Sequence, residues 1–240
     1  MLMELTLSAG LTMQASPYKL QPFLQDRSVQ YTEQHGLPDV PVYTLTISGE
    51  ALWAGTSKGV AMTQLSQPER WRVVTAQPAR VLIPDGTGGV YGVAGQILFQ
   101  ITAQGETRTL YTADAELMGV QADALSARRE ARPPEGHASG LWLLTSQALL
   151  RFENGAIRER HNAPPNRQFR WFHQDTRGRV FAFAEGELER GLYRLSHFES
   201  GGGADPRWEK VGIRDNRGRY YDDYWLCAIS DSIGHLWIGA

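Results

Sequence analysis

Hydrophobic and polar residues alternate with a period of two along much of this chain. The clearest examples are four consecutive runs, Val42–Ile47, Leu52–Thr56, Val60–Leu65 and Trp71–Thr75. Alternation by two places every second side chain on one face, whereas a helix would repeat its apolar residues at every third or fourth position. The runs therefore predict four consecutive β-strands.

A longer pattern recurs five times: a β-type run, a turn with glycine, an aromatic residue within an apolar pair, and another strand. The five aromatic residues, called the anchors below, are Trp53, Tyr91, Trp142, Phe181 and Trp237. They are separated by 38, 51, 39 and 56 residues, with a mean of 46. Repeats of about 40 to 50 residues with four strands each are typical of β-propeller blades. Because large rings dominate packing area, we expect the anchors to fill the space between blades.

This periodicity predicts an all-β propeller of four-stranded blades, of which about four blades and partial ones are present. The predicted units cover residues 37–76, 77–112, 113–161, 165–212 and 220–240, and residues 18–36 would hold an outer strand of a preceding or closing blade. A blade buries both faces only between neighbours, so we expect the chain to be part of a larger ring. On their own, the 240 residues would be marginally stable or aggregation-prone, because the terminal blades leave unpaired strand edges.

Turn residues divide these strands. Asp-x-x-Gly occurs at Asp175, Asp215 and Asp231, which is the preferred composition of a type I turn. The glycines of 86–92 lack the spacing and the Lys-Ser/Thr of phosphate loops and predict a hairpin turn instead. Residues 114–131 are rich in Ala, Leu, Glu and Arg, so a short helix on a loop is an alternative to a strand in this segment.

Composition excludes several classes of protein. Lys and Arg number 24 against 26 Asp and Glu, and a formal charge of −2 disfavours nucleic-acid binding. The longest apolar runs, such as Leu141–Leu144, are much shorter than the roughly 18 residues of a membrane helix. The single Cys227 excludes an internal disulfide, and none of the six histidines has metal-ligand spacing. No metal or cofactor is expected, and the first 13 residues make a poor signal peptide.

Two segments resemble the repeat of the two-component regulator propeller family. They are Gly36-Leu-Pro-Asp-Val-Pro-Val-Tyr-Thr-Leu-Thr-Ile, continued by Leu52-Trp-Ala-Gly-Thr-Ser-Lys-Gly-Val60, and Ile229-Ser-Asp-Ser-Ile-Gly-His-Leu-Trp-Ile-Gly239. The segment around Trp142 is a fair match, whereas those around Tyr91 and Phe181 replace the Trp and lose the following Gly-Thr. The resemblance implies a periplasmic or extracellular sensor propeller, commonly fused to a membrane-spanning histidine kinase or another output domain.

Two classes of function follow. The first is a non-catalytic propeller that senses or binds a small molecule or carbohydrate, with a fused output domain or a second copy as protein partner. The second is an enzyme on the same scaffold, such as a hydrolase or lyase acting on polysaccharides, since the fold alone decides nothing.

For the binding protein, we expect the ligand on the face where each blade connects to the next. Aromatic rings flanked by polar groups suit small polar ligands. The predicted site consists of a cluster in segment 220–225, with two cations as polar neighbours: Tyr220, Tyr221, Asp223, Trp225, Arg170 and Lys58. No catalytic residue is predicted. In particular, adjacent carboxylates such as those of Asp222 and Asp223 would point to opposite faces of a strand.

Overall fold

The structure, a computed structural model, describes residues 30–123, 140–187, 189–196, 207–212, 227–231 and 235–239. Within these ranges the regular structure is β-strand, apart from one 3-10 helix at Glu33–His35. The all-β prediction is therefore confirmed. No helix in the described ranges is long and apolar enough to cross a membrane.

The described strands form four four-stranded antiparallel sheets and one two-stranded sheet, called blades 1 to 5. Blade 1 contains β1 (Val42–Ser48), β2 (Ala51–Thr56), β3 (Val60–Gln64) and β4 (Arg72–Thr75). Blade 2 contains β5 (Val81–Pro84), β6 (Val90–Ala94), β7 (Ile97–Ile101) and β8 (Thr107–Thr112). Blade 3 contains β9 (Leu117–Ala122), β10 (Leu141–Thr145), β11 (Ala148–Glu153) and β12 (Ala156–Asn162). Blade 4 contains β13 (Gln168–Gln174), β14 (Val180–Glu185), β15 (Arg190–Leu195) and β16 (Trp208–Lys210), and blade 5 contains β17 (Cys227–Ser230) and β18 (Leu236–Gly239).

The strands of each blade pair in chain order, and the first strands of successive blades contact one another. Thus β1 contacts β5, β5 contacts β9, β9 contacts β13, and β13 contacts β17. A right-handed twist between strands splays successive sheets, so sheets that meet along their first strands are arranged like propeller blades. The first strands are accordingly the inner strands.

The anchors share one register position. Each lies on the second strand of its blade, opposite a first-strand residue, in the pairs Thr46–Trp53, Ile83–Tyr91, Gln121–Trp142, His173–Phe181 and Ile229–Trp237. The first four anchors are buried, with at most 6% of their surface exposed, as predicted. Trp237 departs from the prediction: it is 62% exposed, because no described sheet follows blade 5.

The hydrophobic core consists of separate layers between blades. Trp53 packs with Leu82 and Phe99 of blade 2, and Tyr91 packs with Val120 and Leu143 of blade 3. The position of Phe99 in this layer depends on a glycine of the same blade. A Cβ at Gly92 would lie 2.4 Å from the ring of Phe99, so any larger residue would displace that ring from the layer.

Aspartates that end the inner strands organise the next turn. Asp175 accepts backbone N–H groups of Arg177 and Arg179 at 2.9 and 2.8 Å, and its carbonyl accepts the N–H of Gly178. Asp85 accepts the N–H groups two and four residues ahead in the same way, which confirms the hairpin turn between β5 and β6. Asp231 accepts the N–H of His235, whereas the turn predicted at Asp215 lies outside the described residues.

Two further expectations concern the ends of blades. In the segment left open as a helix, residues 117–122 are strand β9, so a helix is wrong there, and residues 124–131 lie outside the described part. Of the predicted outer strand over 18–36, residues 30–36 hold the 3-10 helix, and the rest is likewise not described. Tyr31 and Leu37 pack on Ala54 and Trp71, and thereby cover the outer part of blade 1.

Candidate functional site

The connections between blades and the second turn within each blade lie on one face, called the connection face below. The N–H of Ala79 donates to Thr56 at 3.1 Å, and the N–H of Leu117 donates to Gly95 at 2.7 Å. In blade 3 the N–H of Phe169 donates to Ser146, also at 2.7 Å. Each of these three connections is therefore hydrogen-bonded to the turn between the second and third strands of the blade that it leaves. Side chains in this region are held in place by the ends of rigid strands.

Lys58 lies in such a turn on blade 1 and is paired with a carboxylate of the same region. Its ammonium is 3.1 Å from Asp39, and the hydroxyl of Ser57 donates to the same carboxylate. The hydrogen bond from Ser57, together with that from Lys58, holds the pKa of Asp39 below its usual value. The positive charge of Lys58 is thus balanced by Asp39.

Arg170 lies on the inner strand of blade 4 and has its own partner. Its Nε donates to Glu185 on the adjacent strand β14 at 2.6 Å, and about half of the arginine side chain is exposed. Arg170 and Lys58 therefore lie on different blades and bind different carboxylates. The other four predicted site residues, Tyr220, Tyr221, Asp223 and Trp225, lie outside the described residues.

Arg170 borders a cleft of about 250 Å³ where the inner strands of blades 2, 3 and 4 meet. Its lining combines apolar and aromatic side chains with one amide and one guanidinium: Val81, Met118, Gly119, Val120, Gln121, Leu144, Arg170, Trp171 and Phe172. A Cβ at Gly119 would touch the ring of Phe172 at 3.4 Å, so this glycine leaves open space between β9 and β13. The cleft can accept a small ligand that stacks or packs on one side and hydrogen-bonds on the other.

Several lining residues were not predicted from the sequence. Met118, Gln121 and Trp171 occupy inner-strand positions of the repeat, which was the available signal. Their common cleft depends on how closely β9 and β13 approach, and no residue pattern reports that distance. Gln121 is also fixed: its Nε2 donates to the carbonyl of Gln174 at 2.8 Å, and its Oε1 accepts the N–H of the same residue.

A second cavity, of about 630 Å³, lies at the connection into blade 4 and the turn between β14 and β15. It is lined by Pro165, Asn166, Arg167, Gly186, Glu187 and Glu189. Arg167 and Glu189 form an ion pair across it, and the Arg167 guanidinium lies over the Tyr193 ring at 5.8 Å. Since three of its six lining residues are charged and two of these form an ion pair, this cavity offers less apolar contact than the cleft.

Blade 3 also contains a polar network that reaches blade 4. Arg151 donates to Asp123 at 2.9 Å and to Glu159 at 2.7 Å, and Gln174 of β13 donates to Asp123 at 2.9 Å. Nε2 of His161 lies 3.1 Å from Glu159, and this hydrogen bond, with those from Arg151, lowers the pKa of Glu159 to about 2. The network joins two blades and is not part of the cleft. Among the described residues, no group of three His, Cys, Asp or Glu side chains could hold a metal ion.

Solved structures show what fold this arrangement belongs to. Two crystal structures of the extracellular domain of BT4673 from B. thetaiotaomicron match with TM-scores of 0.59 and 0.58, at 16% and 15% identity. Each match covers 82% of this chain and 26% of that chain. The N-terminal domain of Nup159 matches with a TM-score of 0.51 at 11% identity, over 80% of this chain and 53% of that one.

The fold is a β-propeller. BT4673 is described in one structure as a one-component system and in the other as a hybrid two-component system, consistent with the resemblance to the two-component regulator propeller repeat. No protein-family model matches this chain, and no curated protein sequence matches it. The propeller spans about a quarter of the length of the BT4673 domain.

Proposed function

We propose that this propeller is a non-catalytic sensor module, the extracytoplasmic part of a two-component signalling regulator, that binds a small polar molecule in the inner-strand cleft. The observation that supports this most directly is the cleft itself. It places aromatic rings, the amide of Gln121 and the half-exposed guanidinium of Arg170 on rigid inner strands. Carbohydrates and other small polar molecules suit such a combination of stacking surface and hydrogen-bonding groups.

The setting of Arg170 supports the same role. Its ion pair with Glu185 supplies both donors and acceptors at the edge of the cleft. Neighbouring Trp171 stacks on Phe183, with ring centroids 6.2 Å apart and planes at 15°. This stacking fixes the orientation of the indole, so little side-chain entropy is lost when a ligand packs on it.

The proposal is tested by titrating the protein with a panel of neutral mono- and disaccharides and small carboxylic acids, followed by tryptophan fluorescence and calorimetry. We expect at least one compound to bind. For that compound, Arg170→Gln is expected to weaken binding at least about 10-fold, since a hydrogen bond to a charged group contributes about 1.5–3 kcal/mol.

Arg194 provides the matched control. It lies on β15 of the same blade, pairs with Glu209 at 2.9 Å, and has the same 47% side-chain exposure as Arg170. Arg194→Gln should therefore leave ligand affinity unchanged. Equal losses in both variants, or a loss that follows only the melting temperature, would rule out the cleft as the binding site.

A further inference from the structure

One ion pair sets the charge of the inner-strand cleft. Among the nine described residues that line the cleft, only Arg170 carries a charge, while the amide of Gln121 and the aromatic and aliphatic side chains are neutral. Nε and Nη2 of Arg170 both face Oε1 of Glu185, at 2.6 and 2.5 Å. The two charges balance each other, so the cleft offers polar groups without a net charge.

Glu185 holds Arg170 in a position that strand pairing alone does not fix. The register of β13 and β14 shifts between Phe169 and Trp171, which leaves Arg170 without a paired residue on β14. A bulge of this kind redirects side chains, and bulges are frequent beside functional sites. The Glu185 side chain is 23% exposed, against 47% for Arg170. The less exposed carboxylate therefore positions the guanidinium at the edge of the cleft.

The ion pair leaves one donor group and one acceptor atom for a ligand. Among the described residues, Nη1 of Arg170 has no acceptor and Oε2 of Glu185 has no donor. A carboxamide presents an acceptor next to a donor, and so offers a partner to each of these groups. A carboxylate presents two acceptors and would bring its negative charge close to Glu185, where like charges repel each other.

The cations that adjoin the cleft along the chain are paired as well. Arg80, one residue before the lining residue Val81, is 3.7 Å from Glu116. Arg167, three residues before Arg170, forms an ion pair with Glu189. A bound carboxylate would therefore lose its hydration in a mainly apolar cleft without gaining an unpaired cation, and such a transfer is costly. An uncharged compound avoids this cost.

We propose that Glu185 determines the specificity of the cleft. It selects uncharged ring compounds that carry an acceptor next to a donor, and it excludes the corresponding carboxylates. This inference rests on the proposed function, since it concerns the ligand of the same cleft. Glu185 acts in two ways: it neutralises Arg170, and it repels a second carboxylate. A repulsive group of this kind discriminates between compounds of nearly equal shape.

Matched pairs of a carboxamide and a carboxylate test the proposal, because the two members differ in charge and hardly in shape. The pairs are glucuronamide with glucuronate, benzamide with benzoate, and the charged or uncharged counterpart of any compound that binds in the panel above. Calorimetric titration at about pH 7.5, where the acids are ionised, gives each dissociation constant. We expect the wild type to bind the carboxamide of at least one pair at least about 10-fold more tightly than its carboxylate.

Glu185→Gln should reverse this preference. The new side chain keeps an acceptor oxygen for Arg170 but removes the negative charge. The carboxylate should then bind at least about 10-fold more tightly than it binds to the wild type, while the carboxamide gains nothing. Because the gain is electrostatic, it should shrink when the salt concentration rises from about 50 to about 300 mM. The double variant Arg170→Gln with Glu185→Gln should lose the gain.

Glu209→Gln is the matched control. Glu209 pairs with Arg194 of the same blade, and the Arg194 side chain is 47% exposed, as is that of Arg170. This substitution also releases an arginine, but Arg194 does not line the cleft, so carboxylate binding should not change. Melting temperatures show whether each variant is folded. If Glu185→Gln does not fold, Glu185→Ser replaces it, since it removes the same charge.

The outcomes separate this inference from the proposed function. If the wild type binds a carboxylate as tightly as its carboxamide, or if Glu185→Gln gains no affinity for carboxylates, the inference is wrong while the cleft remains the binding site. An equal gain in Glu209→Gln would overturn it too, because the charge of the whole surface would then select the ligand. If no member of any pair binds, the proposed function fails together with this inference.

Discussion

Trp142 and Trp237 hold the same register position in blades 3 and 5, opposite Gln121 and Ile229. Trp142 is 3% exposed and packs in a layer with residues of blade 4. Trp237 lies on its blade in the same way but is largely exposed. Its own blade therefore sets where an anchor points, while the following blade decides whether it is buried. In a repeat protein of this kind, the stability that an anchor contributes comes from the contact between two neighbouring blades and not from its own blade alone.

The largest effect is expected when each ring is removed in turn. Trp142→Ala should lower the free energy of unfolding by about 3–5 kcal/mol, because it leaves a large cavity between blades 3 and 4. Trp237→Ala should cost less than about 1 kcal/mol, because its ring is largely exposed. Urea denaturation followed by circular dichroism measures both. Similar losses in the two variants would contradict the view that burial at the junction carries the stability.

The same comparison shows how far the sequence predicts this protein. The alternation by two and the spacing of the anchors predicted the strands, the blades and the burial of four anchors. Neither pattern predicted the exposure of Trp237, since burial depends on a neighbouring sheet. The sequence did not predict strand β9, because residues 114–131 are rich in residues that favour helices. This preference is weak, and pairing with β10 overrides it.

The candidate site was predicted less well than the fold. Arg170 was expected directly before the inner strand of blade 4 but lies within it, on β13, and its partner Glu185 is 15 residues away and pairs across a hairpin. Likewise, the partner of Lys58 is Asp39, in the segment that precedes blade 1. Turn composition predicted which residues lie at strand ends, while the contacts between them depend on the approach of strands that the sequence does not report.

The polar network between blades 3 and 4 should respond to acid more strongly than an exposed ion pair does. The pKa of Glu159 falls from 4.5 to about 2. A lowered carboxylate pKa stabilises the folded state above the unfolded-state pKa, and that stability is lost as the pH falls from about 4.5 to about 2. Because the side chain is 41% exposed, solvent screening reduces the contribution to roughly 1–2 kcal/mol.

Glu159→Gln should therefore be less stable than the wild type at pH 7, and the two stabilities should converge as the pH approaches 2. Urea denaturation at several pH values between 2 and 7 measures this. Glu209→Gln is the matched control, since Glu209 is 54% exposed and pairs with Arg194 on the outer strands of blade 4. An acid dependence in Glu159→Gln equal to that of the wild type would show that the network does not couple to pH.

The smallest expected effect lies at the junction of blades 4 and 5, between the buried and the exposed anchors. Nε2 of His173 on β13 lies 2.8 Å from the hydroxyl of Ser230 on β17. Burial lowers the pKa of His173, although the negative charge of Asp175 opposes this. The neutral imidazole is therefore the form that the junction favours, and its contribution is present above the unfolded-state pKa of about 6.5 and is lost as the pH falls through the folded-state pKa.

Lowering the pH from 7.5 to 5.5 should consequently loosen blade 5 before it affects the interior blades. Amide hydrogen exchange, corrected for the intrinsic pH dependence, should show reduced protection in β17 and β18 and unchanged protection in β9 and β10. His173→Gln keeps a hydrogen-bonding side chain next to Ser230 and removes the titration, so its protection in β17 should not change over this range. Glu159 titrates well below pH 5.5 and does not contribute here. Equal loss of protection in all blades would mean that the junction to blade 5 is no weaker than the others.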